Sequence, residues 1–178
     1  MSASTLNSYS TLVATLSLVA LGGAVALLVY RIVKGPEAAA RLLNPGAIWL
    51  AWAVAAVAMV GSLIYSEIAG FLPCRLCWFQ RIAMYPMAII LLVGAIRREA
   101  VVRFYALPLA LIGLAISVYH YLVQIYPSLE GSVSCDPTNP CSTRYVEMFG
   151  FISIPFMAGA GFIVIAVLLL FYVRDTSE

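Results

Sequence analysis

The sequence predicts an all-α membrane bundle of five helices. Of its 178 residues 63% are hydrophobic and only 10% are charged, and the apolar residues fall into five runs separated by polar links. Soluble domains do not have this composition. The net charge of +2 is too small to suggest a nucleic-acid partner, and Lys and Arg are spread among the links rather than clustered. Residues 1–178 read as one membrane domain with lipid as its solvent.

The first run, Thr11 to Val33, is long enough to cross a hydrocarbon core of about 30 Å at about 1.5 Å per residue. A cleaved signal peptide is the competing reading. Against it, the run exceeds a signal-peptide apolar region and no basic segment precedes it. A link with Arg31, Lys34, Gly35, Pro36, Glu37, Arg41 and Pro45 then breaks the helix. The second run, Gly46 to Ile68, carries Ala51, Ala55, Ala58 and Ser62 at helical spacing, a stripe that lets helices approach closely. The third runs from Phe79 to Ile96 with Pro86 inside it as an expected kink. Arg97, Arg98, Glu99 and Arg103 lead into the fourth, Phe104 to Tyr126, which Pro127 ends. Residues 127–150 form the longest polar segment. There, Thr143 to Phe151 is compatible with a short surface helix, packing of the next element being the simpler account. The last run is Phe151 to Val173, and Arg174, Asp175 and Glu178 close the chain.

Orientation follows from charge. Arg31, Lys34, Arg41, Arg97, Arg98, Arg103 and Arg174 fall on one side, and Arg75, Arg81 and Arg144 on the other. The richer side is expected in the cytoplasm, with the N-terminus outside and the C-terminus inside. Trp49 and Trp52 at one end of the second run, and Trp78 at the opposite surface, suit interfacial positions.

Loops 69–78 and 127–150 are then extracytoplasmic, and between them they hold all four cysteines, Cys74, Cys77, Cys135 and Cys141. Disulfides form and persist there. Two structural disulfides in a non-enzymatic scaffold are one reading. A ring closed across two intervening residues removes little unfolded-state entropy, however, so Cys74 and Cys77 are poorly placed to be chiefly a staple. Four thiolates also suit zinc or an iron–sulfur cluster, but Arg75 and Arg81 put fixed cations beside the site, and no metal is expected. Arg81 has two readings as well. It is an interfacial anchor that snorkels to water, or the cation that favours the reactive thiolate of the pair.

Three features together resemble bacterial disulfide bond formation protein B, the DsbB family, over roughly Gly46 to Val173. They are Cys74-x-x-Cys77-x-x-Gln80-Arg81 at the start of a span, a second cysteine pair two helices later, and His120 to Ser128 with its Tyr126-Pro127-Ser128 ending. The vitamin K epoxide reductase family is similar in chemistry but has its cysteine pairs in the reverse order. The resemblance implies a four-helix core, residues 46–173, preceded here by an extra N-terminal helix, residues 11–33. It also implies a thiol:quinone oxidoreductase in the bacterial cytoplasmic membrane that reoxidises an extracytoplasmic thioredoxin-like, DsbA-type partner. The acceptor would be ubiquinone or menaquinone; a quinol-driven reductase is the reverse alternative. By resemblance Cys135 forms the mixed disulfide with the partner, Cys141 exchanges with Cys74, and Cys77 donates to the quinone. Arg81 would bind the quinone. His120, the only histidine, would be a second quinone contact or proton donor, although alone it reads as a packed polar residue. Tyr119 and Tyr121 read as packing or interfacial residues, and Gln80 is left without a role. Besides the extra helix, the second cysteine pair departs from the family's best-known form, with only five residues between its members and Pro137 and Pro140 stiffening them.

Overall fold

The computed structural model describes residues 2–43, 46–131 and 139–172. Its helices are α1, Ala3–Lys34; α2, Pro36–Leu43; α3, Gly46–Leu63; α4, Arg75–Arg97; α5, Val102–Ile125; and α6, Ile154–Phe171. A π turn, Ile64–Ile68, extends α3, and a 3-10 turn, Pro127–Leu129, follows α5. Five helices, all but α2, are long and apolar enough to cross a membrane. The chain is a polytopic helical bundle, and among the described residues no strand forms.

Local chemistry sets the helix ends. Ser2 caps α1 by accepting the Thr5 N–H at 3.2 Å, so the helix begins well before the apolar run. The Thr11 and Thr15 hydroxyls each donate at 2.8 Å to a carbonyl one turn back, which satisfies them without breaking the helix. The break after α1 falls at Gly35, in the left-handed region at φ +86°, as the polar link led one to expect, and the rest of that link folds mostly as α2. Helix α4 starts at Arg75, earlier than the apolar run, and continues through Pro86 to Arg97.

The short surface helix considered for Thr143 to Phe151 does not form. Met148 and Ile152 pair across a tight turn instead, each N–H donating to the other's carbonyl at 2.8 and 2.9 Å. Phe149 and Gly150 hold positive φ there, a conformation no right-handed helix admits. Val146 is buried against Tyr65 and Ile152, in line with the simpler packing reading.

Helix α6 is the centre of the bundle and packs on α5, α1 and α3, while α4 lies between α3 and α5. Most of its side chains are buried, Phe162, Ile165 and Phe171 completely. Helix α1 is peripheral, with only Ser10, Ala14 and Ala24 buried. The Arg31 guanidinium ties its end to α6 by donating to the Leu170 carbonyl and lying over the Phe171 ring. The small-residue stripe of α3 works as read at Ala51 and Ala55, both fully buried.

At the α5–α6 contact the Phe162 ring fills the space a side chain at Gly113 would need. A Cβ there would lie 2.3 Å from ring atoms. Gly113→Ala is expected to cost about 1–3 kcal/mol through overpacking, read as a lower melting temperature in detergent, with Phe162→Leu restoring part of it. An unchanged melting temperature would mean that the two helices separate freely at this point.

Candidate functional site

The site is built on the first turn of α4. Cys74 is its N-cap residue and Cys77 lies three positions on, so the Cys77 N–H donates to Cys74 Sγ at 3.4 Å. A side chain at the N-cap meets the amide at this spacing whatever its heteroatom. The same geometry brings the sulfurs together. The Cys74 S–H donates to Cys77 Sγ at 3.1 Å. Cys74 is buried at 5% exposure whereas Cys77 is partly exposed.

The loop from Asn139 lies over this turn. Its Asn139 side chain donates to the Leu72 carbonyl at 3.3 Å, and Gln124 and Arg144 strap it to the end of α5: Gln124 Nε2 donates to the Thr143 carbonyl and Arg144 to the Gln124 carbonyl. The Glu130 carboxylate accepts the Cys141 N–H. Cys141, 1% exposed, is thereby pressed against Cys74, Leu76 and Val123. Donation to Cys77, then burial, push the Cys74 thiol up to about 12, partly offset by His120. Burial also takes the Cys141 thiol to about 12, against the Leu76 backbone N–H and with a raising contribution from the Cys74 sulfur within hydrogen-bonding reach.

Two polar groups approach the cysteines from different helices. From α5 comes His120, 1% exposed, with Nε2 3.6 Å from Cys74 Sγ and 3.1 Å from the Cys141 carbonyl. Its Nδ1 is 3.4 Å from Gln80 Oε1, and Gln80 Nε2 donates to Ser117 Oγ at 2.7 Å. Arg81 turns towards α3. It donates from Nε to Ser62 Oγ at 3.0 Å and from one Nη to the Ser62 carbonyl at 3.1 Å, and its guanidinium lies 5.3 Å from the Trp78 ring centre.

Cys74, Cys77 and His120 bring three potential metal ligands within 4.8 Å of one another. Two sulfurs on one tetrahedral zinc, each at about 2.3 Å, would lie roughly 3.8 Å apart, against 3.1 Å here. The spacing favours a pair that closes a disulfide.

Of the residues singled out from sequence, the structure joins Cys74, Cys77, Cys141 and His120 in one cluster and sets Arg81 one turn along α4, bound to Ser62. Cys135 and Pro137 lie outside the described residues, as do Pro45, Arg174, Asp175 and Glu178. Tyr119 and Tyr121 brace loops, their hydroxyls donating to the Leu129 and Phe151 carbonyls at 2.8 and 2.9 Å. Sequence reasoning missed Ser62, Ser117, Gln124 and Glu130 and gave Gln80 no role. The available signal was their polarity within or beside apolar runs, where a polar side chain needs an internal partner.

Fold and site together define a polytopic membrane thiol protein. Residues 45–172 match the family described as Disulfide bond formation protein DsbB. The chain is 44% identical over 131 residues to Disulfide bond formation protein C of Bacillus subtilis, covering 74% of this chain and 95% of that protein. It is 46% identical over 132 residues to a probable disulfide formation protein of Oceanobacillus iheyensis, covering 72% and 90%. To Probable disulfide formation protein C 2 of Bacillus anthracis it is 46% identical over 120 residues, covering 67% and 85%. No solved structure matches. The chain belongs to the DsbB family, and α1 and α2 precede the matched region.

In the fully reduced protein at pH 8, iodoacetamide is expected to modify Cys77 about tenfold faster or more than Cys141, which is buried and protonated. Modification of Cys141 should rise roughly tenfold per pH unit up to pH 10, because a thiol held at about 12 is still protonated there. Peptide mapping by mass spectrometry reads both, and equal rates would contradict the burial order.

Proposed function

We propose that the chain is a thiol:quinone oxidoreductase of the bacterial cytoplasmic membrane. It reoxidises an extracytoplasmic thioredoxin-like, DsbA-type protein and passes the electrons through Cys135/Cys141 and Cys74/Cys77 to ubiquinone or menaquinone. The observation that carries this reading is the order of the sulfurs. Cys141 is buried on Cys74, Cys74 Sγ is 3.1 Å from Cys77 Sγ, and Cys77 is the partly exposed member, beside Trp78 at 54% exposure. Such a series leads from a loop towards the lipid-facing edge. The loop side is extracytoplasmic on the distribution of Lys and Arg.

Each exchange is a thiolate displacement at a disulfide sulfur. A partner thiolate attacks Cys135, and Cys141 leaves with the electron pair of the loop disulfide. The Cys141 thiolate then attacks Cys74 Sγ, forming Cys141–Cys74 and breaking Cys74–Cys77, so that the pair resides on Cys77. Cys135 next attacks Cys141, the loop disulfide re-forms, and Cys74 is released. The earlier attack of the partner's second thiolate on its own mixed disulfide frees Cys135 and leaves the partner oxidised. A quinone, when bound, supplies a two-electron, two-proton sink beside Cys77.

The residues around Cys77 fit such an acceptor. Arg81 has Nε and one Nη committed to Ser62 and, among the described residues, makes no hydrogen bond from Nη1. That donor suits a carbonyl oxygen. The cavity bounded by Cys74, Cys77, His120 and Gln124 is only about 20 Å³, room for a water and not for a ring. The acceptor side is therefore the lipid-facing surface of Trp78 and Phe79. His120, behind Cys74, serves as the proton donor, reached through the cysteine pair. Direction is set by potentials: about 30 mV corresponds to about 1.4 kcal/mol for two electrons, so the last acceptor must be at least as oxidising as the partner.

The test is anaerobic. Purified oxidised protein is mixed with a reduced thioredoxin-like oxidant and a soluble ubiquinone or menaquinone analogue, and quinone absorbance is followed. Quinone loss should need the partner and vanish in Cys77→Ser; unchanged turnover in that variant would sink the assignment. Arg81→Lys, which keeps charge but loses the planar fork, should raise the apparent quinone KM roughly tenfold with little effect on the partner's.

A further inference from the structure

Cys141 is held by its own peptide as well as by the packing of its sulfur. Its N–H donates to the Glu130 carboxylate, and its carbonyl lies 3.1 Å from His120 Nε2. Among the described residues no other hydrogen bond reaches this peptide. The straps through Asn139, Gln124 and Arg144 grip the chain on either side of it. A carboxylate that accepts a backbone N–H makes a charge-assisted bond, stronger than a neutral one.

Glu130 is itself fixed to α5. Its N–H donates to the Pro127 carbonyl at 3.0 Å in the turn that follows the helix, and the Tyr119 hydroxyl donates to the neighbouring Leu129 carbonyl at 2.8 Å. His120 is also on α5. Both contacts with the Cys141 peptide therefore come from α5, and neither passes through Cys135, which lies between Glu130 and Cys141 in the chain.

We propose that Glu130 is a positioning residue that keeps Cys141 on Cys74 while Cys135 is joined to the partner. This rests on reading Cys135/Cys141 as the pair that the partner attacks. That attack releases Cys141 with the electron pair, and the relay continues only if this sulfur still meets Cys74 Sγ once its bond to Cys135 is gone. The Glu130–Cys141 bond joins two residues 11 positions apart on either side of Cys135, whether or not the disulfide between them is intact. The charge of Glu130 acts in the same direction. Burial, and after it the Cys74 sulfur and the Glu130 carboxylate, hold the idle Cys141 thiol up at about 12 against the Leu76 backbone N–H. Attack of the Cys141 thiolate on Cys74 carries the negative charge away from Glu130 and on to Cys77.

The test needs neither quinone nor partner. In full-length Cys77→Ser/Cys135→Ser protein in detergent, Cys74 and Cys141 are the only cysteines left. In a glutathione buffer their two thiols give two electrons and two protons to one oxidised glutathione, which leaves as two reduced molecules, and the disulfide fraction by mass spectrometry gives the equilibrium constant. Glu130→Leu, which leaves the N–H unpaired, should lower that constant about tenfold, and Glu130→Gln, which keeps an acceptor oxygen, should return it to within about threefold. Cys74 and Cys77, measured alike in a Cys135→Ser/Cys141→Ser protein, should be unchanged by either substitution. A Glu130→Leu constant within about twofold of that with Glu130 overturns the proposal. So does a Glu130→Gln constant as low as that of Glu130→Leu, which would assign the effect to charge alone. An equal fall in the Cys74/Cys77 pair overturns it as well, since Glu130 would then support the fold and not the loop. These constants can agree with the proposal while no quinone is reduced, and quinone loss can be seen while they contradict it.

Discussion

The sulfur cap on α4 is the constraint on which the rest of the site depends. With Cys74 as N-cap and Cys77 at the third helical position, one hydrogen bond from the Cys77 N–H both starts the helix and sets the two sulfurs side by side. The helix then distributes the other groups by rotation alone. At about 100° per residue, Gln80 lies about 60° to one side of Cys77 and Arg81 about 40° to the other. Gln80 consequently meets α5 and its His120, while Arg81 meets α3 and its Ser62. Shifting the helix start by one residue would break both connections, since neither partner helix could follow.

Apolar surroundings make these few polar contacts decisive. Within lipid each polar group must find its partner inside the protein, and the bundle provides a chain of contacts, from Gly113 through Ser117 and Gln80 to His120. Low local dielectric strengthens such a chain and makes its loss expensive. Arg81 is treated likewise. Ser62 takes two of its donors at the point where α3 passes into its π turn, and the rings of Trp78 and Tyr85 lie within 6.0 Å. A guanidinium held in this way keeps its charge beside Cys77 without wandering to the interface.

The spans were legible because hydropathy over some twenty residues dominates any local detail. Their ends were less so. Helix α1 begins at Ala3 and α4 at Arg75 because capping groups, Ser2 and Cys74, extend helices into polar sequence that hydropathy discards. The cysteine pair, Arg81 and His120 could be singled out, since their chemistry stands out from an apolar background. Their neighbours could not be. Ser62 was one more small residue in a packing stripe, and a π turn has no residue signature that separates it from α-helix. Gln80 and Ser117 are 37 positions apart, and only the helix rotation brings them together. The turn at Met148 to Ile152 was read as compatible with a helix because its alternation of charged and apolar residues fits either; the positive φ of Phe149 is a tertiary outcome.

The peripheral helix α1 bears on the site through aromatic rings rather than through charge. Tyr9 meets Tyr65 edge to face at 5.2 Å, Tyr65 stacks on Phe71 at 5.9 Å, and Phe71 stacks on Tyr145 at 4.7 Å. The Tyr65 hydroxyl also donates to Ser10 on α1 at 3.1 Å. Tyr145 belongs to the loop that presses Cys141 onto Cys74, and its hydroxyl donates to Asn139 at 3.2 Å. Each ring pair contributes about 0.5–1.5 kcal/mol beyond area burial, similar to the net contribution of a hydrogen bond, so the rings and the Tyr65–Ser10 contact together link α1 to the loop. The extra helix therefore supports the end of the bundle where the thiols meet, although it lies before the residues that match the family.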